Sequence, residues 1–246
     1  MDQLQMIADP LKRQEPDNPE ARQFLALRHQ VEKQEVDGIL RVALNSFAGK
    51  IAVISSFGAE SVVLLHHVAQ IDPTVPVFFL NTGKLFGETL RYRDRLQEVL
   101  GLTDVRTIGP HPSDVKRDDP DGGLWKDNAG ACCHIRKVLP IRQALKGFDA
   151  QITGRKRFQT AQRKALSKVE RVDGRICFNP LADWTFETLT AYVAQHRLPR
   201  HPLISDGYLS IGCMPCTRRV RSGEGYREGR WPDSDKDECG IHGEGI

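Results

Sequence analysis

The chain has 246 residues, 39% of them hydrophobic, and a formal net charge of +3. That length suits one large domain or a domain with an arm, and the apolar share is enough for a packed core. The near-neutral balance argues against a general nucleic-acid binder, and no apolar run reaches the roughly eighteen residues that a membrane span needs.

Residues 1–18 are polar and punctuated by proline, and are expected to be disordered. From Pro19 to Phe47 apolar residues recur at helical spacing (Phe24, Leu27, Val31, Val36, Ile39, Leu40, Ala43), and Gly49 stops the helix. Ile51–Ile54 reads as a buried strand, followed by the loop Ser55–Ser61 and a helical run through Val68. A second strand is expected over Val75–Leu80, a helix over Gly87–Leu100 and a third strand over Asp104–Ile108. Residues 109–130, rich in proline, glycine and charge, read as a loop. A helix is predicted from Ala131 to Leu145, with Cys132 and Cys133 in its first turn, where the positive helix end favours thiolate.

Asp149–Thr153 reads as a fourth strand. Val169–Phe178 reads as a hairpin on its Asp173-Gly174 turn, and a helix follows from Thr185 to His196. No periodicity appears after Ile211, and no repeat or interdomain linker is visible. Alternating strands and helices predict an α/β fold: a mostly parallel sheet with helices on both faces over 19–212, and a C-terminal arm over 213–246 whose order depends on a ligand or partner.

Charge is unevenly placed. Arg155, Lys156, Arg157, Arg163, Lys164, Lys168 and Arg171 cluster against a single acid, Glu170. Arg218, Arg219, Arg221, Arg227 and Arg230 form a second cluster against Glu224 and Glu228. Two basic clusters in a nearly neutral chain suit a small polyanion; the bland alternative is two solvated faces. In open α/β sheets ligands sit beyond the carboxyl ends of the strands. Ser55, Ser56 and Gly58 there offer backbone N–H groups and hydroxyls to an anion at a helix start, and Asn81, Thr82 and Gly83 end the next strand. The loop is not a Walker A sequence.

Six cysteines carry the sharpest signal. The chain opens Met1-Asp2-Gln3-Leu4-Gln5, without the basic start and apolar run of a secretory signal, so a cytoplasmic location and reduced thiols are expected. Cysteine pairs then point to metal or redox chemistry rather than to disulfides. Cys132 and Cys133 are adjacent, and Cys213 and Cys216 form a Cys-x-x-Cys. Directly adjacent cysteines make a poor zinc knuckle, so a [4Fe-4S] cluster on these four is favoured, with structural zinc as the alternative. Cys177 lies in a short apolar run and reads as core. Cys239, alone near the end, has the look of a reagent rather than a staple.

Together these motifs resemble the assimilatory adenylyl-sulfate (APS) reductases, within the wider APS/PAPS reductase family. The matching pieces are Ser55–Ser61, Asn81-Thr82-Gly83, Cys132–Lys137, Gly154–Gln159, Cys213–Arg218, Arg227–Trp231 and Glu238-Cys239-Gly240-Ile241-His242, in the family's order over roughly residues 50–242. The double cysteine and the Glu-Cys-Gly-x-His ending are the specific ones. The resemblance implies an adenine-nucleotide hydrolase-like fold and a [4Fe-4S] cluster on Cys132, Cys133, Cys213 and Cys216. It makes Cys239 the nucleophile that takes sulfur from APS, with reduced thioredoxin or glutaredoxin releasing sulfite, and it assigns the cluster electrostatic and structural support.

It also implies substrate contacts at Lys137, Arg157, Gln159, Arg163, Arg227 and Arg230, beside the loop residues already named. His242 is a candidate to tune the Cys239 thiolate. Lys156 stands where the family has an arginine, and Phe158-Gln159-Thr160 where it often has Asp-Gln-Ser, which leaves the individual roles of Lys156 and Thr160 open. Phe57 and Glu60 replace the glycine and aspartate of ATP pyrophosphatases of this fold class, which disfavours pyrophosphate release. The rivals are a PAPS or dual reductase, a cluster-bearing tRNA thiolase, which would need a two-glycine ATP loop, and a zinc-stabilised binding module. Neither a nucleic-acid nor a membrane partner is expected; the family includes dimers and tetramers, and the sequence does not choose an oligomeric state.

Overall fold

The computed structural model describes residues 18–232, 236 and 238–241. Helix α1 spans Pro19–Val31, with Pro19 in the first turn and the Asn18 side chain accepting from Glu20 N at 2.9 Å. Asn18 thus belongs to α1, and the remainder of the expected disordered segment lies outside the described residues. The helical pattern expected up to Phe47 is two helices, because α2 begins anew at Val36 and ends at Ser46. The reason is a slipped stripe: Val31 and Val36 are five apart, so one straight helix could not bury both. Lys168 Nζ donates to the carbonyls of Glu32 and Gln34 at the break, at 3.2 and 2.9 Å.

Six strands follow: β1 Ile51–Ser55, β2 Val77–Leu80, β3 Val105–Ile108, β4 Ala150–Thr153, β5 Val169–Val172 and β6 Arg175–Phe178. Their order in the sheet is β3-β2-β1-β4-β6-β5, parallel throughout except for the β5–β6 hairpin. The expected α/β sheet is therefore present. β2 starts later than the sequence suggested, since Pro76 has no N–H for the ladder. The hairpin turns through Asp173 and Gly174 at φ 48° and 77°, the positive pair that a type I′ turn requires.

Alternation along β1 sends side chains to two cores. Ile51 and Val53 join a large core with α1, α2, helix α3 (Ser61–Ile71), helix α4 (Gly87–Leu100) and helix α9 (Phe186–Gln195). Ala52 and Ile54 face the other side, against Phe78, Ile141 and Leu145. Helices thus cover both faces.

The segment 109–130 is not a plain loop. It holds helix α5 (Pro112–Asp118), begun by Pro112 and by the His111 ring accepting from Ser113 N, and helix α6 (Leu124–Asp127). Neither buries a residue, so neither left an apolar period in the sequence. Helix α7 (Ala129–Cys133) then passes through a π-helical turn, His134–Val138, into helix α8 (Leu139–Ala144).

His201 fastens the irregular chain after α9 to α4. Its Nδ1 accepts from Leu203 N at 3.2 Å, so the ring proton sits on Nε2, 3.0 Å from Thr89 Oγ1. Burial pushes this imidazole down to about 4 from an ordinary 6.5. The folded state refuses a proton that the unfolded chain accepts. The site's contribution is complete above the ordinary imidazole value and is lost as pH falls toward the depressed one. Urea denaturation followed from about pH 7 to about pH 4 is expected to show roughly 3 kcal/mol of acid destabilisation from this group. His201→Asn is expected to flatten that slope; an unchanged slope would place the acid sensitivity elsewhere.

Candidate active site

A cleft of about 1220 Å³, measured out to its open mouth, lies at the carboxyl ends of β1, β2 and β4. Its floor begins where β1 ends. Phe57, at φ 48°, is wholly buried with its ring edge-on to Phe79 at 5.3 Å, and Ser55 Oγ accepts from Phe57 N at 3.2 Å. This anchor turns the loop Ser55–Ser61 over the sheet edge and into α3, whose N-terminus favours an anion. A Cβ at Gly58 would stand 3.0 Å from the carbonyl of Ile211, so glycine lets the arm lie directly on the loop. The arm supplies the opposite wall, with Ile211–Cys213, Tyr226, Arg227, Arg230, Trp231 and Glu238–Cys239.

Six cationic side chains line the cleft (Lys137, Arg155, Lys156, Arg163, Arg227, Arg230) against two carboxylates, Glu60 and Glu238. Both carboxylates are paired. Glu60 Oε2 accepts from Lys156 Nζ at 2.5 Å and from Gln159 Nε2 at 2.6 Å. Glu238 meets Arg163, with Nη2 donating to Oε2 at 2.6 Å. Burial pulls Lys156 and Arg163 below their ordinary values, against the pull of these carboxylates. Arg155 is buried on Glu170, Asn179 and Thr153, with Cys177 behind it. A positive excess in a concave, half-dry site suits an anionic ligand of several charges.

The cysteines adjoin this wall. Cys132, Cys133 and Cys213 are buried, Cys216 and Cys239 are half-buried, and none is in a disulfide. Cys132 feels the charge of Cys133 and Cys213, and Cys216 that of Cys213 and Cys133. Burial raises Cys132 to about 11 and also raises Cys133 and Cys216. This corrects the expectation of a helix start that favours thiolate: α7 begins at Ala129, which makes the cysteines its fourth and fifth residues, and desolvation prevails over the helix start. Cys213 differs. Burial would raise it, but Lys137, the Thr82 hydroxyl at 3.2 Å and Arg230 together lower it. Cys177 lies wholly buried in β6 with its thiol pushed up to about 11, as a core residue.

The π turn buries four successive side chains, Ile135–Val138, and so turns both Arg136 and Lys137 inward. Arg136 grips Asp119 through Nε at 3.0 Å and Nη2 at 2.6 Å, and its Nη1 donates to Thr82 O at 2.9 Å. Burial opposes the charge on Lys137, yet the fields of Cys213, Cys239 and Cys133 hold its ammonium above the ordinary lysine range. Arg230 donates to Thr217, and its guanidinium lies 4.5 Å over the Trp231 ring. A Cβ at Gly212 would collide with that guanidinium.

Among the residues expected from sequence, Ser55, Ser56, Gly58, Thr82, Lys137, Gln159, Arg163, Arg227, Arg230, Cys213 and Cys239 line the cleft. Asn81 and Gly83 do not; Asn81 Oδ1 accepts from Gly83 N at 3.0 Å and shapes the turn. Arg157 is placed outside, donating to Leu166 O at 2.7 Å and pairing with Asp183. His242 lies outside the described residues. Sequence reasoning missed Glu60 and Glu238 as partners of the cations, and Tyr226 altogether. Acids embedded in otherwise basic segments were the available signal for the first two.

The sheet order, the loop at its carboxyl edge and the cationic cleft define an α/β protein of the nucleotide-binding kind with cysteines beside its cleft. The profile of the phosphoadenosine phosphosulfate reductase domain matches residues 50–219, and the chain belongs to that family. It is 50% identical to the adenosine 5'-phosphosulfate reductase of Mesorhizobium japonicum, over 85% of this chain and 82% of that protein. It is 46% identical to the enzyme of that name from Chelativorans sp., over 85% and 86%. A phosphoadenosine 5'-phosphosulfate reductase of Gloeobacter violaceus is 37% identical, over 88% and 92%. The crystal structure of phosphoadenylyl-sulfate reductase from Candida auris, a phosphate complex, superposes with a TM-score of 0.68 at 25% identity, over 82% of this chain and 98% of that one.

The Arg136–Asp119 pair is almost fully buried, with side-chain exposures of 9% and 1%. Removing one partner leaves a charge stranded away from water. Asp119→Ala is therefore expected to lower unfolding free energy by about 3–5 kcal/mol in chemical denaturation. A loss below about 1 kcal/mol would show that water reaches Arg136 readily.

Proposed function

We propose that this protein reduces adenylyl sulfate to sulfite and AMP, with Cys239 as the sulfur acceptor and a reduced thioredoxin or glutaredoxin as electron donor. The observation that carries the reading is the placement of Cys239 in a cationic cleft, in the field of the buried Lys137. The names of the relatives support the substrate.

The chemistry follows from charge. The serine loop and the N-terminus of α3 would hold the 5′-phosphate, while Lys137, Arg227 and Arg230 would face the sulfate oxygens. The Cys239 thiolate attacks the sulfur. The bond from sulfur to the bridging phosphate oxygen breaks, AMP departs with that electron pair, and Cys239 becomes an S-sulfocysteine. A thiolate of the reductant then attacks Cys239 Sγ, and sulfite leaves with the bonding pair. The second thiol of the reductant resolves the mixed disulfide and returns Cys239 as thiolate, so two electrons pass from dithiol to substrate. Lys137 and Arg230 stabilise the negative charge that spreads over the reacting groups during the attack. Such a thiol donor belongs to a reducing compartment, which fits the cytoplasm.

Cys132, Cys133, Cys213 and Cys216 would hold a [4Fe-4S] cluster. The donor chemistry suits it: four free thiols, Cys132 in the field of Cys133 and Cys213 and Cys216 in that of Cys213 and Cys133, next to the buried Lys137. Among the described residues no three His, Cys, Asp or Glu side chains are grouped as a metal site, so the cluster reading rests on the chemistry of the four thiols. When bound, the cluster supplies electrostatic and structural support to the cationic wall.

Cys239→Ser is expected to cut sulfite release from APS by roughly a thousandfold or more while iron content stays at the wild-type level. In the same assay the wild type is expected to prefer APS to its 3′-phosphorylated form. An active serine variant would remove the nucleophile assignment, and preference for the phosphorylated nucleotide would move the substrate to PAPS. Cys133→Ser is expected to lose iron and the broad absorption near 400 nm (approximately, for this cluster type) with a folded circular dichroism spectrum. A full iron complement in that variant would mean that another group completes the ligand set.

A further inference from the structure

Cys239 sits between two anchors. On one side Glu238, only 8% exposed, meets the equally buried Arg163: Nη2 lies 2.6 Å from Oε2, and Nε 2.6 Å from Oε1. Thr160 Oγ1 adds a contact to Oε1 at 3.4 Å, and the remaining guanidinium nitrogen, Nη1, donates to Gln159 Oε1. On the other side Ile241 packs against the core cluster of Ala52, Ile54, Phe78, Ile141 and Leu145. Gly240 between them, at φ 79°, lies close to Val138 of the π turn.

We propose that Glu238 is a positioning residue whose ion pair with Arg163, together with the Ile241 anchor, sets the Cys239 thiol in the cleft, so that Arg163 serves the arm rather than the nucleotide. Three observations carry this. Two of the three Arg163 guanidinium nitrogens already donate within the protein, Nη1 to Gln159 and Nη2 to Glu238, while Nε lies 2.6 Å from Glu238 Oε1 as an ion-pair contact without hydrogen-bond geometry. The apolar anchor alone is non-directional, whereas the charge-assisted hydrogen bond from Arg163 Nη2 to Glu238 Oε2 is directional. Finally, Gln159 joins Arg163 to Glu60, so one hydrogen-bonded line runs from the loop Ser55–Ser61 to the residue before Cys239. Arm and substrate loop are thereby held in one frame, as a nucleophile that must meet a loop-bound ligand requires.

The inference rests on the sulfur-transfer reading for its kinetic consequence but not for its structural one, and the test separates the two. Full-length protein, purified anaerobically with its metal, is compared with Glu238→Gln, Arg163→Glu and the charge swap Arg163→Glu/Glu238→Arg. Hydrogen exchange of the amides of residues 238–241 is read without ligand, AMP affinity by calorimetry, and growth of the sulfonate adduct on Cys239 in a single turnover with APS and no reductant. Glu238→Gln is expected to exchange those amides about tenfold faster and to form the adduct roughly tenfold to a hundredfold more slowly, since misplacement by about 1 Å carries that cost. Its AMP affinity should stay within about twofold, and the swap should recover most of the amide protection. Wild-type protection and loading in Glu238→Gln would overturn the proposal. So would a loss of AMP affinity in Arg163→Glu that Glu238→Gln does not share, which would return Arg163 to the nucleotide. If the wild type itself forms no adduct, the sulfur-transfer reading fails, while the exchange data still decide whether the clamp exists.

Discussion

The site depends on a buried lysine whose charge is met by sulfur. Lys137 is 9% exposed, and among the described residues no carboxylate pairs with it. An unpaired ammonium in such a place would shed its proton. The fields of Cys213, Cys239 and Cys133 favour the proton, and of these Cys213 is itself lowered, against the opposing effect of burial, by Lys137, Thr82 and Arg230. Lys137 and Cys213 therefore support each other's charged forms, which neither would hold alone at this depth.

The rest of the molecule can be understood as what brings those groups together. The π turn presents Arg136 and Lys137 to the interior in succession. Arg136 is spent on Asp119 and on the carbonyl of Thr82, and Thr82 in turn reaches Cys213. This chain of contacts ties the segment after β3 to the end of β2 and to the arm. The parallel sheet contributes the other half, a row of strand ends where the serine loop and the basic segment after β4 converge. Among the cleft's cations, Lys156 is held by Glu60, Arg163 by Glu238 and Arg155 by Glu170. The cleft thus stays positive while its long side chains are oriented, which reduces the reorganisation needed when an anion binds.

The sheet was legible because β1, β2 and β4 are buried runs with no competing period, and the hairpin because Asp173-Gly174 permits its turn. The break between α1 and α2 needed the five-residue slip to be weighed, and α5 and α6 bury nothing that a pattern could show. At the site, residue type and motif found the cysteines and most of the cations that line the cleft. They could not show that Arg157 turns outward to Asp183, or that Asn81 and Gly83 shape a turn, since neighbours in sequence face opposite ways there. The thiolate-favouring helix start failed because the helix begins at Ala129, two residues earlier than expected, and burial of Cys132 and Cys133 outweighs its positive end. Pairings across long separations, such as Glu60 with Lys156 or Arg163 with Glu238, leave no local trace in sequence at all.

The most direct test of the account is where sulfur goes. Anaerobically purified protein is mixed with adenylyl sulfate in the absence of any thiol reductant, digested, and mapped by mass spectrometry. A sulfonate on Cys239, with the remaining cysteines unmodified and AMP released in equal amount, is the predicted result. AMP release with no protein-bound sulfonate, or a sulfonate on a cysteine other than Cys239, would contradict it.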